Sequence, residues 1–210
     1  KNRLAGKKLL VIGGAAREMI DDVRVISNIS SGETAVELAL AAARQGAETE
    51  LWHASMSVSI PDFIKSKKFE SVNDLIKMIP DENEYDIVLV PAALSDYSPV
   101  RQKGKISSDE EQITLTLTKL PKVLPQLRRT ARFLAGFKAE STGGEELIKK
   151  AKARMDENSL DMIVANNILD VSEGKTKSKI ILKDGTIETF EGSKAELAER
   201  IIESIAEHIE

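Results

Sequence analysis

Short apolar runs alternate with helix-like segments along most of the chain. Buried strands are predicted at residues 8–13, 48–52, 86–90, 134–137 and 162–165. Helices are predicted between and after them, at residues 35–45, 73–79, 145–157 and 194–209. Strands that alternate with helices are typical of an α/β fold, so we predict a doubly wound, mostly parallel, Rossmann-like sheet.

Two segments depart from this alternation. Residues 112–118 read Q-I-T-L-T-L-T, and this period of two indicates a half-exposed strand. Residues 179–182 and 186–190 flank Lys183-Asp184-Gly185, which is a strong signal for a hairpin turn. Both segments therefore predict antiparallel strands, added at the edge of the sheet.

No linker-like stretch divides the 210 residues, so we expect a single domain over residues 1–210. The basic residues 1–7 resemble a linker that enters the first strand from a preceding domain. No apolar run reaches membrane-spanning length and no signal peptide is recognisable, which favours a cytoplasmic protein without a membrane partner.

Charge and cysteine content narrow the chemistry further. The formal net charge is −4, which gives no indication of a nucleic-acid partner, so any anionic ligand has to be held by local positive groups. The chain has no cysteine, which excludes a thiol nucleophile, a disulfide and a thiolate metal site. No motif places an acid partner near either histidine, His53 or His208.

The first strand runs into Gly13-Gly14-Ala15-Ala16, which invites a nicotinamide-binding interpretation. Two observations oppose it. The spacing G-x-G-x-x-G is absent, and so is the P-loop pattern. In addition, the acid expected at the end of the second strand is missing, because His53 stands there and could instead line a cleft.

A segment at residues 17–32 is inserted between the first strand and its helix, where such sheets usually bind ligands. Ser30, Ser31 and Gly32 precede the helix, and they predict either an anion site at its N-terminus or simple capping by serine. The Asn28 amide can donate to a developing oxyanion without titrating. Arg24 either adds a fixed positive charge or forms an ion pair with a neighbouring aspartate, Asp21 or Asp22.

Four motifs together resemble the phosphopantothenate–cysteine ligase family. They are V-R-V-I-S-N-I-S-S-G at 23–32, P-A-A-L-S-D-Y at 91–97, A-G-F-K-A-E-S at 135–141 and D-M-I-V-A-N-N at 161–167. Each one alone is weak, but they occur in the order and spacing of the family and span nearly the whole chain.

The resemblance implies a ligase of coenzyme A biosynthesis. Its substrates would be 4′-phosphopantothenate, L-cysteine and CTP with Mg²⁺, and its intermediate an acyl-cytidylate, with CMP and pyrophosphate released. It also implies a homodimer, with the edge hairpin strands contributing to the interface. A preceding decarboxylase domain would carry flavin (FMN), which this chain would not bind.

The resemblance also implies roles for individual residues. Asn28 would handle the acyl intermediate and Arg24 would assist turnover. Lys105 would lie over the phosphates on a flap, residues 98–112, that is expected to be mobile without nucleotide. The nucleotide-binding set would be Ser30, Ser31, Gly32, Pro91, Ala92, Asp96, Lys105, Pro121, Phe137, Arg154 and Asn158.

Several positions depart from the family pattern. Residues 105–108 read K-I-S-S where the family often has K-I-K-K, and L-P-K-V replaces N-P-D-I at 120–123. Asn158 stands where a lysine is common, although Lys149, Lys150 and Lys152 lie close enough in sequence to substitute. Two alternatives therefore stay open, namely an NAD(P)-dependent reductase and a non-catalytic domain that retains the fold.

Overall fold

The computed structural model describes residues 2–82, 84–109, 111–167 and 174–209. The elements in chain order are β1 (Lys8–Gly13), β2 (Arg17–Met19), β3 (Val25–Ser27), α1 (Glu33–Arg44), β4 (Glu48–His53), β5 (Lys65–Lys68), α2 (Val72–Met78), β6 (Tyr85–Val90), β7 (Tyr97–Pro99), β8 (Leu117–Lys119), α3 (Leu124–Leu127), β9 (Ala131–Glu140), α4 (Gly144–Glu157), β10 (Met162–Asn167), β11 (Thr176–Leu182), β12 (Ile187–Gly192) and α5 (Lys194–His208).

Within these residues, the main sheet has eight strands in the order β12-β11-β10-β9-β6-β1-β4-β5. Neighbouring strands from β10 to β5 pair in parallel, whereas β11 pairs antiparallel with both β10 and β12. The predicted α/β class and the predicted edge hairpin are therefore confirmed. The strand order reverses at β1, which has β6 on one side and β4 on the other.

Successive residues of β1 face opposite sides of the sheet and divide the core into two layers. Leu9 and Val11 pack with α1 and α5 on one side. Leu10 and Ile12 pack with α2, α3 and α4 on the other side. Because both faces are covered by helices, β1 is apolar at nearly every position, as a central parallel strand has to be.

The period-two segment 112–118 does not extend the main sheet as predicted. Only Leu117–Lys119 is a strand, and it pairs with Tyr97–Pro99 in a separate two-stranded sheet. The inserted segment 17–32 forms another small sheet, the β2–β3 hairpin. Neither small sheet has enough buried apolar residues for its pairing to be predicted from the sequence pattern.

Helix boundaries follow ordinary capping chemistry. Ser193 caps α5 as predicted, with a reciprocal capping box in which the Glu196 side chain accepts from the Ser193 backbone N–H. Ser71 and Asp74 do the same for α2. None of the helices in the described ranges combines the length and apolar composition that crossing a membrane requires.

Candidate functional site

A cavity of about 590 Å³ opens at the carboxyl ends of the central strands, beside the point where the strand order reverses. Its walls come from the loop before α1, the loop after β6, the segment leading into α3, the end of β9 and the end of α4. This is the usual ligand position in a doubly wound sheet.

The cavity brings together most of the residues predicted from the sequence. Those that line it are Asn28, Ser30, Pro91, Ala92, Asp96, Pro121, Phe137, Arg154 and Asn158. Four predicted residues do not line it, namely Arg24, Lys105, Ser31 and Gly32. Lining residues that the sequence reasoning missed include Thr34, Lys122, Lys138 and Asn166.

Asn28 lies just after the β2–β3 hairpin, with its side chain exposed to the cavity. Its amide Nδ2 donates to the carbonyl oxygen of Leu94 at 3.3 Å, which ties the inserted segment to the loop after β6. The neighbouring Ser27 hydroxyl donates to the Ala16 carbonyl at 2.8 Å. The Asn28 carboxamide is therefore held at the cavity wall, with hydrogen-bonding capacity left over.

The start of α1 depends on Gly32. Its φ of 80° is in the left-handed region, and a Cβ there would meet the Met56 sulfur at 2.3 Å. The Ser31 hydroxyl accepts from the Glu33 N–H at 3.3 Å, but Gly32 is the N-cap of α1 and no side chain caps the helix, so the predicted serine capping is not formed. Ser30 and Thr34 face the cavity, and the N-terminus of α1 therefore lies at its wall.

Arg24 forms the ion pair that the sequence left open, and its partner is Asp21. The guanidinium Nη1 lies 2.6 Å from the Asp21 carboxylate and also donates to the Ile106 carbonyl at 3.2 Å. Lys105 is exposed on the adjacent loop, residues 100–109, which we call the Lys105 loop. Arg24 and Lys105 thus lie together, outside the cavity wall.

Asp96 follows β6 and is largely exposed. Its carboxylate accepts a hydrogen bond from the Lys122 ammonium at 2.7 Å, and its carbonyl accepts from the Leu120 N–H at 2.9 Å. Lys122 is one of the residues by which this chain departs from the family pattern in that loop, and it is the one that adds a positive charge. The two charges partly neutralise each other at the edge of the cavity.

The far wall is basic and partly aromatic. Phe137 is half-buried at the end of β9, and the adjacent Lys138 pairs with Glu140 at 2.7 Å. Asn158, which is 7% exposed, donates its amide to the Arg154 carbonyl at 2.8 Å and thereby ends α4. Within the described residues, the Arg154 guanidinium takes part in no hydrogen bond or ion pair, so its charge is available to a ligand.

The lysine cluster on α4 does not replace the cation lost at Asn158. Lys149 and Lys152 are exposed, and Lys150 pairs with Glu140 and Glu146. None of the three lines the cavity. Lys138, next to the predicted Phe137, is a cation of the cavity wall that the sequence reasoning missed.

A second cavity, of about 320 Å³, has Met56 in its lining. His53 lines it together with Arg17, Lys68 and Glu70. His53 thus lines a cleft, as expected, and no carboxylate stands at the end of β4 where a dinucleotide ribose would need one.

Metal ligands are sparse around both cavities. Among the described residues, no group of three or more histidine, aspartate or glutamate side chains could hold a metal ion. A divalent cation at the larger cavity would therefore have to be held chiefly by the oxygens of a phosphorylated ligand.

The fold and the larger cavity define a doubly wound α/β protein whose crevice suits a phosphorylated ligand. Comparison with known proteins identifies the family. Residues 4–209 match the sequence profile of the DNA/pantothenate metabolism flavoprotein C-terminal domain, and the chain belongs to this family.

Individual relatives agree with that assignment. The coenzyme A biosynthesis bifunctional protein CoaBC of Methanocaldococcus jannaschii is 38% identical over 205 residues, which are 95% of this chain and 50% of that protein. The CoaBC protein of Thermococcus kodakarensis is 33% identical over 96% of this chain and 51% of its own length. The chain thus spans about half the length of these relatives.

Solved structures share the fold along their whole length. The DNA/pantothenate metabolism flavoprotein from Streptococcus pneumoniae superposes with a TM-score of 0.86 at 25% identity, covering 97% of this chain and 100% of that one. The C-terminal domain of a CoaBC protein superposes with a TM-score of 0.82 at 27% identity, covering 99% and 98%. Both likenesses agree with the predicted Rossmann-like sheet.

Proposed function

We propose that this chain is a ligase of coenzyme A biosynthesis that joins 4′-phosphopantothenate to L-cysteine at the expense of CTP. One observation carries the proposal. In a chain of this family, a single cavity is lined by residues from all four motifs, at 23–32, 91–97, 135–141 and 161–167. No nicotinamide chemistry is favoured, because His53 occupies the position of the ribose-binding acid.

The reaction needs positive charge around a triphosphate. Arg154 and Lys138 supply cationic side chains at the far wall. The N-terminus of α1 supplies backbone N–H groups and the positive end of the helix dipole next to Ser30 and Thr34. Mg²⁺ bound with the nucleotide would add positive charge that offsets the charge of the phosphates.

Two displacements account for the chemistry. A carboxylate oxygen of phosphopantothenate attacks the α-phosphorus, the bond to the bridging oxygen breaks, and pyrophosphate leaves. The cysteine amine then attacks the acyl carbon of the acyl-cytidylate, loses a proton to solvent and expels CMP. The charge that builds on the acyl oxygen needs a neutral donor, which the Asn28 amide provides.

The nucleoside would lie between Phe137 and the Asp96 loop. The half-buried Phe137 offers a ring face for the base. Asp96 offers a carboxylate to a ribose hydroxyl or to the amino group of the base, once it exchanges the Lys122 ammonium for the ligand. Pro91, Ala92 and Pro121 bound this end of the cavity.

Arg24 and Lys105 have to approach from outside the cavity. Arg24 lies in the hairpin that leads into the cavity residue Asn28, and Lys105 is exposed on the loop that contacts this hairpin. The sequence-based expectation of a mobile flap at 98–112 stays a prediction, and movement of the Lys105 loop is what it requires.

We also propose that the active form is a homodimer. Large exposed apolar side chains gather on the two small sheets, namely Val23, Val25, Tyr97, Val100 and Leu117, with Ile29 beside them. Exposed apolar patches of this kind are typical of interfaces. We therefore propose an interface on β2–β3 and β7–β8, while the expected contribution of the β11–β12 edge hairpin stays a prediction. The decarboxylase partner implied by the resemblance would bring its own flavin.

A single assay tests the ligase proposal. Protein, phosphopantothenate, cysteine and Mg²⁺ are mixed with CTP or ATP, and pyrophosphate and phosphopantothenoylcysteine are measured. We expect both products with CTP. Release of neither product with either nucleotide would reject the proposal, and product with ATP alone would correct the nucleotide.

A further inference from the structure

Asp21 is a fully buried carboxylate in the turn of the β2–β3 hairpin, with a side-chain exposure of 0%. One oxygen accepts from the backbone N–H groups of Val23 at 2.8 Å and Arg24 at 2.6 Å. The other accepts from the Arg24 guanidinium at 2.6 Å and from the Ile106 N–H at 3.0 Å. Each oxygen therefore faces two donors, and neither is replaceable by an NH₂ group.

These contacts settle the ionisation of Asp21. Burial, the largest single influence, would raise its pKa, but the hydrogen bonds from Ile106, Val23 and Arg24 outweigh it and hold the pKa well below the usual range. The carboxylate thus stays charged at any pH at which the protein would work. A charged acceptor binds its donors more strongly than a neutral one.

Asp22, the residue after Asp21, binds the Lys105 loop at Arg101 and Gly104. The Asp22 carboxylate accepts from the Arg101 guanidinium at 2.8 Å and from the Gly104 N–H at 2.9 Å. Two backbone hydrogen bonds join the same segments. The Asp22 N–H donates to the Gly104 carbonyl at 3.1 Å, and the Gln102 N–H donates to the Ile20 carbonyl at 2.9 Å. The Lys105 loop is therefore attached to the β2–β3 turn on both sides of Lys105.

Arg24 closes the arrangement. Its guanidinium binds the Asp21 carboxylate and the Ile106 carbonyl, while the Ile106 N–H binds the same carboxylate. Asp21 is thus shared by the two segments that carry Arg24 and Lys105. Displacing the carboxylate would remove the ion-pair partner of Arg24 and the attachment of the Lys105 loop at Ile106.

We propose that Asp21 is a positioning residue for the ligase reaction, fixing Arg24 and the Lys105 loop relative to each other so that both cations approach the nucleotide from one place. The proposal rests on the proposed function for its catalytic consequence. Its structural part, the attachment of the Lys105 loop to Asp21, stands on the hydrogen bonds alone.

Asp21→Asn tests the attachment directly. The amide has to turn its NH₂ toward two donors in either orientation, so we expect hydrogen exchange at the Ile106 amide to accelerate by roughly tenfold or more in the nucleotide-free protein. Residue-resolved exchange by NMR gives the measurement. Asp74→Asn is the matched control, since it makes the same change of charge at a carboxylate that accepts hydrogen bonds in the α2 capping box, outside the Lys105 loop.

Unchanged exchange at Ile106 in Asp21→Asn, or an equal change in Asp74→Asn, would overturn the attachment. If Asp21→Asn does not fold, Asp22→Ala takes its place, because the Asp22 side chain is 48% exposed and alanine leaves no acceptor for the Gly104 N–H. This substitution should accelerate hydrogen exchange at the Gly104 amide and leave the Ile106 amide protected. Unchanged exchange at Gly104 would also contradict the attachment of the loop.

Kinetics test the catalytic part. In Asp21→Asn, we expect kcat to fall by roughly tenfold or more while KM for CTP changes less than about threefold, because misplaced cations weaken the transition state more than the ground state. A rise in KM with kcat intact would contradict a positioning role. If the unaltered protein makes no product, the ligase proposal fails, while the exchange experiment still decides the attachment.

Discussion

The Lys122 ammonium donates to the Asp96 carboxylate at 2.7 Å across the edge of the cavity. Lys122 occupies a position where the family pattern has an aspartate, so this pairing sets the local charge of the nucleoside end in this chain. The side chains are 46% and 66% exposed, so the pair contributes little to folding.

Asp96→Ala should separate binding from stability. We expect KM for CTP to rise by roughly tenfold, because a charged acceptor for the nucleoside is lost. The free energy of unfolding should change by less than about 1 kcal/mol, as is usual for an exposed ion pair. Lys122→Ala breaks the same pair and is the control; an equal rise in KM there would show that the pair, not Asp96, matters.

Arg154 is expected to bind phosphate. In Arg154→Ala, KM for CTP should rise by roughly tenfold or more, since a charge-assisted contact is removed from the cavity wall. Lys149→Ala makes the same change of charge on the exposed side of the same helix and should leave KM within twofold. A similar rise in KM for CTP in both variants would show that CTP responds only to the overall charge of the protein, and not to a contact with Arg154.

Asn28→Asp should abolish most turnover without unfolding the protein. The aspartate cannot donate at neutral pH and adds negative charge beside an anionic intermediate, so we expect kcat to fall by about 10²–10³-fold. The asparagine is exposed and its hydrogen bond to Leu94 is long, so the melting temperature should hardly move. Asn73→Asp, on the exposed side of α2, is the matched control, and an unaltered rate in Asn28→Asp would remove Asn28 from the mechanism.

The sequence predicted the central strands because apolar runs are needed wherever helices cover both faces of a sheet. It could not predict β5, whose four residues, K-S-K-K, are all exposed. That strand forms because the open edge of β4 offers unpaired backbone groups, and its lysines suit an edge position.

The same limit applies to the site. Motifs placed Asn28, Asp96 and Phe137 at strand ends, and the structure brings them to one cavity. The sequence did not decide which of two adjacent aspartates forms the ion pair with Arg24. The choice of Asp21 depends on Ile106, which lies 85 residues away in sequence from Asp21, and no local pattern reports such a contact.

Gly32 should be intolerant of a side chain for two separable reasons. Gly32→Ala forces alanine into a left-handed conformation, which costs about 1–2 kcal/mol, and drives its Cβ into Met56. Gly185→Ala shares the positive φ but has open space around it, so it reports the conformational cost alone.

Urea unfolding gives both free energies. We expect Gly32→Ala to lose more than Gly185→Ala by about 1–3 kcal/mol, the cost of overpacking a close contact. Met56→Ala in the Gly32→Ala background should recover part of that difference. Equal losses at the two glycines would show that the segment around Met56 yields easily.

Glu50 should make folding stability depend on acid pH. It is 8% exposed on β4 and accepts from Trp52 Nε1 at 3.0 Å and from the Tyr85 hydroxyl at 3.3 Å, with the Lys67 ammonium 3.0 Å away. Burial opposes ionisation, but the Trp52 and Lys67 contacts outweigh it and lower the pKa of Glu50. Burial, together with the negative charge of Glu50, raises the pKa of Tyr85, so that hydroxyl remains a donor.

The sign follows from the lowered pKa. Stability from the ionised Glu50 is fully present above the ordinary value of 4.5 and is lost as the pH falls through the lower, folded-state value. Glu50→Gln should therefore cost about 1–3 kcal/mol at pH 7, where an amide faces donors, and less at pH 3. Urea unfolding of both proteins from pH 3 to 7 measures this, and a difference that stays constant over that range would show that the charge of Glu50 contributes nothing to the fold.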